Sequence, residues 1–236
     1  MSPFSRTERL LGSEAMERLS KARVAVFGIG GVGGHTAEAL VRSGVGAIDL
    51  IDNDKVALTN LNRQIIATHS TLGEWKVDAM RERLSDISPQ MDIRTHTCFF
   101  LPENADNFNF SAYTYVVDAV DTVTAKIEII RRCIACGTPV ISCMGTGNKL
   151  YPELLQIADI SKTSVCPLAR VMRKELGVRG IKHLPVLFST ETPREAHGAL
   201  DEETTRRSLP GSTAFVPSVA GLMIAAKVVR DIAQVE

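Results

Sequence analysis

Arg23-Val-Ala-Val-Phe27 runs directly into Gly28-Ile-Gly-Gly-Val-Gly33. The first five residues are almost wholly apolar, the character of a parallel strand buried on both faces. Glycines 28, 30 and 33 follow the spacing G-x-G-x-x-G. The first allows a tight turn, the second lets phosphate approach the backbone, and the third permits close helix–strand packing. Residues 34–43 carry Ala37, Leu40 and Val41 at helical spacing, and Ala47-Ile-Asp-Leu-Ile51 is a second strand ending at Asp52. Strand, glycine turn, helix and strand open a doubly wound, Rossmann-like α/β fold.

The alternation continues to the end of the chain. Helices are expected over 74–85, 123–136, 165–176 and 218–232, and strands over 92–98, 115–118, 139–143, 154–160 and 185–190. The pattern predicts a mostly parallel sheet with helices on both faces, in one domain over 1–236. Residues 1–20 read as an N-terminal helical arm. The polar stretch 192–211, with Pro193, Gly198, Pro210 and Gly211, reads as a surface loop or crossover, a length often associated with functional lids.

Composition excludes several classes. Apolar residues are 44% and charged residues 23%, an ordinary globular balance. Lys and Arg number 27 and Asp and Glu 27, so the chain is not coated in positive charge, although a local basic patch remains open. The charged N-terminus is no secretory signal, and no apolar run is long enough to cross a bilayer. Five cysteines at irregular spacing do not form a disulfide framework, and a reducing cytoplasm is the expected setting.

The glycine motif alone leaves NAD, FAD and ATP open, and no Walker A loop is present. Asp52, at the end of the second strand, is placed to accept ribose hydroxyls. After it come Asp54, Asn60, Asn62, Arg63 and Gln64, then Lys76, Asp118 and Asp121. Arg63 offers a fixed fork of donors for phosphate oxygens. Asp121 suits Mg²⁺, or caps the helix that follows. Hydride transfer needs no such concentration of Arg, Lys and Asp. Cleavage of ATP between its α and β phosphates does, because negative charge grows on pyrophosphate as it leaves.

Gly28-Ile-Gly-Gly-Val-Gly33, Asp52-x-Asp54, Asn60-Leu-Asn-Arg-Gln64, Lys76 and Asp118-Ala-Val-Asp121 together resemble the ThiF/MoeB/HesA superfamily, the adenylating relatives of ubiquitin-activating enzymes. The resemblance implies ATP and Mg²⁺ as cofactors and a homodimer. It implies nucleotide contacts at Gly28, Gly30, Gly31, Gly33, Asp52, Asp54, Asn60, Arg63, Lys76, Asp118 and Asp121. Among these, Asp52 takes ribose, Arg63 and Lys76 take phosphate, and Asp121 is linked to Mg²⁺. It also matches Arg9 to an arginine that reaches the neighbouring subunit's ATP, so that Arg9, Arg63, Lys76 and Asp121 form the implied catalytic set. Asp159-Ile-Ser-Lys-Thr163, Cys166-Pro-Leu-Ala-Arg170-Val-Met-Arg173 and Phe215-Val-Pro-Ser-Val-Ala-Gly221 are similar to the tRNA-modifying branch, the threonylcarbamoyladenosine dehydratases. That branch implies ATP-dependent cyclisation of a modified adenosine in tRNA. The alternative is adenylation of a small sulfur-carrier protein, with a sulfur-transfer partner. A nucleotide-binding protein without turnover and a dinucleotide dehydrogenase remain as further alternatives.

Cys133-Ile-Ala-Cys136 has no second C-x-x-C pair, which counts against a four-cysteine zinc site and against the sulfur-carrier branch. Both thiols are expected to be buried in a helix. Cys166, near a helix start, is a candidate thioester nucleophile or an inert neighbour of a basic helix. Between Lys162 and His183 lie Lys162, Arg170, Arg173, Lys174, Arg179 and Lys182 against Glu175 alone. Arg170, Arg173 and Lys174 are expected to share a face that binds the tRNA backbone, with Arg179 and Lys182 beside it; a solvated helix or a dimer face is the alternative. Arg206 and Arg207 are further candidate contacts.

Overall fold

A computed structural model describes residues 2–195, 197 and 210–235. Most of the loop expected over 192–211, including Arg206 and Arg207, therefore lies outside the described residues. Seven strands form one sheet: β1 (Arg23–Phe27), β2 (Ala47–Ile51), β3 (Asp92–His96), β4 (Tyr115–Asp118), β5 (Val140–Cys143), β6 (Leu155–Asp159) and β7 (Pro185–Ser189). Their order is β3-β2-β1-β4-β5-β7-β6. All neighbours are parallel except β6, which pairs antiparallel with β7 at the edge. The order reverses between β1 and β4, and ligands of such sheets bind outside the carboxyl ends of the strands at that point.

Alternation along β1 sends Val24 and Val26 to one face and Ala25 and Phe27 to the other. The first face is covered by α2 (Ser13–Lys21), α3 (Gly33–Arg42), α4 (Lys76–Ile87) and α7 (Phe215–Ala233), and it buries Leu19, Leu40, Met80 and Ile224. The second is covered by α5 (Val123–Cys136) and α6 (Pro167–Val178). There Phe100, Phe108 and Phe110 pack around Phe27, with the rings of Phe27 and Phe100 edge to face at 4.9 Å. The expected helices on both faces are present.

The remaining departures from expectation have local causes. The N-terminal arm is two helices, α1 (Ser5–Leu11) and α2, because Gly12 breaks the run with φ of +87°. α4 begins at Lys76 rather than at 74, since Trp75 is extended and bridges to Lys55. α7 begins at Phe215 with Pro217 in its first turn, where a missing N–H costs nothing. α7 then crosses α3 at close range: a Cβ on Gly221 would lie 2.4 Å from the Val32 carbonyl oxygen. At its far end Arg18 donates to the Ala233 carbonyl from Nε and Nη2, at 3.1 and 2.6 Å.

Candidate active site

The turn between β1 and α3 lies beside the topological switch. A Cβ on Gly33 would fall 1.8 Å from the Gly28 carbonyl oxygen, and one on Gly28, whose φ is +88°, would lie 2.7 Å from that of Ala119. Both positions are therefore demanded by the fold. The Gly28 contact also holds the loop leaving β4, and with it Asp121, against the glycine turn. Gly30 differs: among the described residues beyond its chain neighbours, only Gln64 Nε2 comes within 4 Å of its absent Cβ, at 4.0 Å. Open space in front of Gly30 is what close approach of a ligand requires. The N–H groups of Gly30, Gly31, Val32 and Gly33 have no partner among the described residues. They gather at the N-terminus of α3, a ready anion site.

Asp52 braces this turn. Its Oδ2 accepts the Ile29 N–H at 2.7 Å and its Oδ1 the Asp54 N–H at 2.8 Å. Burial raises its affinity for a proton above the ordinary carboxylate value, against the opposing pull of Lys76 and the two N–H donors. Lys76, only 5% exposed at the start of α4, donates to Asp54 Oδ2 at 2.7 Å. Asn60 is buried and accepts the Ala57 N–H at 3.1 Å, so its side chain shapes the polar loop. Arg63 donates from Nη1 to the Thr59 carbonyl and to Asn62 Oδ1, both at 2.8 Å. Its aliphatic stem lies 3.4 Å from where a Gly31 Cβ would stand, with Pro217 of α7 3.2 Å from the same point. Asp121 is exposed. Thr122 holds the N-cap position of α5, so Asp121 is not that helix's cap.

Asp118, an expected nucleotide contact, is placed elsewhere, and Arg9, expected to reach a neighbouring subunit's ATP, lies at the other end of the sheet. Asp118, at 0% exposure, is enclosed with an equally buried Lys126, whose Nζ lies 3.1 Å from Oδ2. Ser142 donates to the same carboxylate at 2.5 Å, and Lys126 also reaches the Cys143 carbonyl at 2.7 Å. Asp118 thus ties β4, β5 and α5 together and presents no oxygen to a ligand. Arg9 is exposed on α1, a helix that buries no residue of its own, while nearby Phe4 packs toward Gly44, between α3 and β2. Loops at that end of the strands lie away from the glycine turn, so Arg9 is not brought to this chain's own site.

The basic segment is also divided. Arg170 and Lys174, one helical turn apart on α6, are exposed. Arg173 does not join them. Its Nη1 turns inward to the Thr163 carbonyl at 2.9 Å and the Thr163 hydroxyl at 2.5 Å. Arg179 is drawn to Glu175 at 2.9 Å. Lys182 is exposed beyond the helix. Of the cysteines, Cys133 is buried but Cys136 is exposed, which corrects the expectation for that thiol. Cys166 holds the N-cap position of α6 and is only 3% exposed. Among the described residues, no group of three His, Cys, Asp or Glu side chains could hold a metal, and no helix is long and apolar enough to cross a membrane. The sequence pattern did not reveal the Lys126 anchor, the packing of Pro217 on Gly31, or any role for Gln64 beside Arg63.

The sequence profile of the ThiF family matches residues 4–236. A tRNA threonylcarbamoyladenosine dehydratase of Bacillus subtilis is 45% identical, over 97% of this chain and 94% of its own length. The crystal structure of Escherichia coli tRNA N6-threonylcarbamoyladenosine dehydratase, TcdA, in complex with ATP superimposes with a TM-score of 0.88 at 33% identity, covering 98% of this chain and 93% of that one. The same enzyme in complex with AMP gives a TM-score of 0.88 at 33% identity, covering 98% and 94%.

Proposed function

The chain belongs to the ThiF family, and we propose that it is an ATP-dependent dehydratase that cyclises threonylcarbamoyladenosine in tRNA. The observation that carries this reading is the likeness over nearly the whole chain to an enzyme held with ATP and with AMP. AMP is what remains of ATP after adenylation and release of the activated group.

The substrate carboxylate is a poor acylating group, because oxide leaves badly. Its attack on the α phosphate forms an acyl-adenylate and expels pyrophosphate. Attack on the activated carbonyl from within the same side chain closes the ring and expels AMP, and the nucleoside has then lost one water. Holding both ends of one side chain together supplies the proximity.

The residues divide this work by position. The free N–H groups of Gly30 to Gly33 and the α3 N-terminus receive phosphate oxygens. Asp52, fixed by Ile29 and Asp54, turns toward the ribose. Arg63 and Lys76 oppose the charge growing on pyrophosphate, and Asp54 keeps the buried ammonium of Lys76 in place until then. Asp121 would hold Mg²⁺, which would supply further positive charge against the triphosphate. Arg9 would complete the set from a second copy in a homodimer; exposed Phe215 and Leu222 on α7 offer apolar surface for such a contact. Arg170, Lys174 and Lys182 would meet the tRNA backbone, in a reducing cytoplasm.

The test is direct. Purified protein, Mg²⁺-ATP and tRNA carrying threonylcarbamoyladenosine are incubated, the tRNA is gently digested, and the nucleosides are weighed. ATP-dependent loss of one water is expected. An unchanged mass with folded protein and intact substrate refutes the reading.

A further inference from the structure

We propose that Asn148 is a positioning residue for Arg63, and through it for the triphosphate of ATP. The inference rests on the reading of Arg63 as a phosphate ligand and names what holds that arginine in line. Asn148 lies in the loop that leaves the carboxyl end of β5. Its φ is +58°, in the left-handed region, which asparagine enters more readily than most residues with a side chain.

In that conformation backbone and side chain both turn to one neighbour. The Asn148 N–H donates to the Gly211 carbonyl at 2.7 Å, and its Oδ1 accepts the Gly211 N–H at 2.6 Å. A Cβ on Gly147 would lie 2.7 Å from Pro210 Cβ, so the two segments touch.

The next residue carries the contact on. The Ser212 carbonyl accepts from Asn62 Nδ2 at 3.0 Å, and Asn62 Oδ1 accepts from Arg63 Nη1 at 2.8 Å. A carboxamide whose nitrogen is fixed has one direction left for its oxygen. One connected path thus runs from Asn148 through Gly211, Ser212 and Asn62 to the guanidinium. Farther along the same segment, Pro217 stands 3.2 Å from the absent Gly31 Cβ and the Arg63 stem 3.4 Å from it. The segment that Asn148 anchors therefore meets Arg63 at its head, by way of Asn62, and beside its stem, at the glycine turn. An arginine ordered before ATP arrives spares binding the loss of its rotamer freedom.

Equilibrium titration of the full chain with Mg²⁺-ATP and with AMP tests this on wild type, Asn148→Gly, Arg63→Ala and the double variant. Glycine keeps the left-handed backbone and its N–H donor and removes the Oδ1 acceptor. Asn148→Gly is expected to weaken ATP binding about tenfold, the scale of one hydrogen bond. AMP, which lacks the two outer phosphates, should bind as before. On the Arg63→Ala background the glycine should add nothing, because the path then has no end. Asn148→Asp, which keeps the acceptor, should lie closer to wild type than Asn148→Gly. Asn62→Ala cuts the path at its other end and replaces Asn148→Gly if that variant does not fold. Equal weakening of ATP and AMP, an unchanged ATP affinity, or full additivity with Arg63→Ala overturns the proposal. Should Arg63→Ala itself leave ATP affinity at the wild-type value, the phosphate reading of Arg63 falls, and the proposal with it.

Discussion

The glycine turn and the basic helix α6 are both conspicuous as sequence, and the fold treats them in opposite ways. In the turn, spacing is position. β1 and α3 fix the backbone on either side, so each glycine from 28 to 33 has one place, and Asp52 reaches back from the end of β2 to hold it. In α6 spacing fixes only the Cα positions. Where each long cation goes is decided by the nearest acceptor, and Thr163 and Glu175 claim two of them. Motifs built from backbone geometry thus carry over into structure almost unchanged. Motifs built from charge survive only where no local partner competes.

The contrast breaks most severely if Gly33→Ala folds. Its Cβ would stand 1.8 Å from the Gly28 carbonyl oxygen, with backbone on both sides. Loss of the cooperative thermal transition, or destabilisation by more than about 4 kcal/mol, is expected. A near-native melting temperature would show that the turn can shift. Lys126→Met ranks next. It strands the Asp118 carboxylate where no water reaches, and should cost about 3–5 kcal/mol in urea denaturation. Adding Asp118→Leu should recover much of that loss. Failure of the double variant to recover would mean that hydrogen bonds from Ser142 and to Cys143 matter more than the charge pair.

Gly30→Ala sharpens the comparison within the turn itself. Among the described residues beyond its chain neighbours, no atom obstructs the new methyl group, so stability should stay within about 0.5 kcal/mol of wild type. The methyl group enters the space left for the nucleotide. ATP-dependent turnover should fall about 100-fold, the scale set by displacing a reacting group by about 1 Å. Normal turnover by a stable variant would show that phosphate does not approach at Gly30.

The same distinction explains what the sequence showed and what it concealed. Strand order at the switch, the two covered faces and the position of Asp52 all follow from the periodicity of short segments. Element ends were displaced where a tertiary contact intervened: Trp75 pairs with Lys55 before α4 can begin, and Pro217 is accommodated inside α7 against Gly31. Asp118 and Asp121 lie in one tetrapeptide, yet one is sealed in the core and the other is exposed. Nothing in Asp-Ala-Val-Asp separates them, because the distinction is made by Lys126 from the next helix. That the Gln64 side-chain carbonyl lacks a partner among the described residues was hidden for a related reason: it is a property of the surroundings, not of the residue. The antiparallel direction of β6 was likewise invisible, since pairing direction depends on the path of the connection rather than on the strand.

The smallest effects belong to α6, and they separate its arginines. Arg173→Gln removes the charged donor from Thr163 and should cost about 1–2 kcal/mol of stability, with little change in tRNA affinity. Arg170→Glu with Lys174→Glu should leave stability nearly unchanged and weaken tRNA binding, because these two side chains are exposed to solvent. The decisive readout is salt dependence. Each cation withdrawn from a phosphate should lower the slope of log affinity against log salt by about one, while ATP affinity stays constant. A slope that falls for Arg173→Gln but not for the double variant would reverse the assignment, and would mean that Arg173 leaves Thr163 when tRNA arrives.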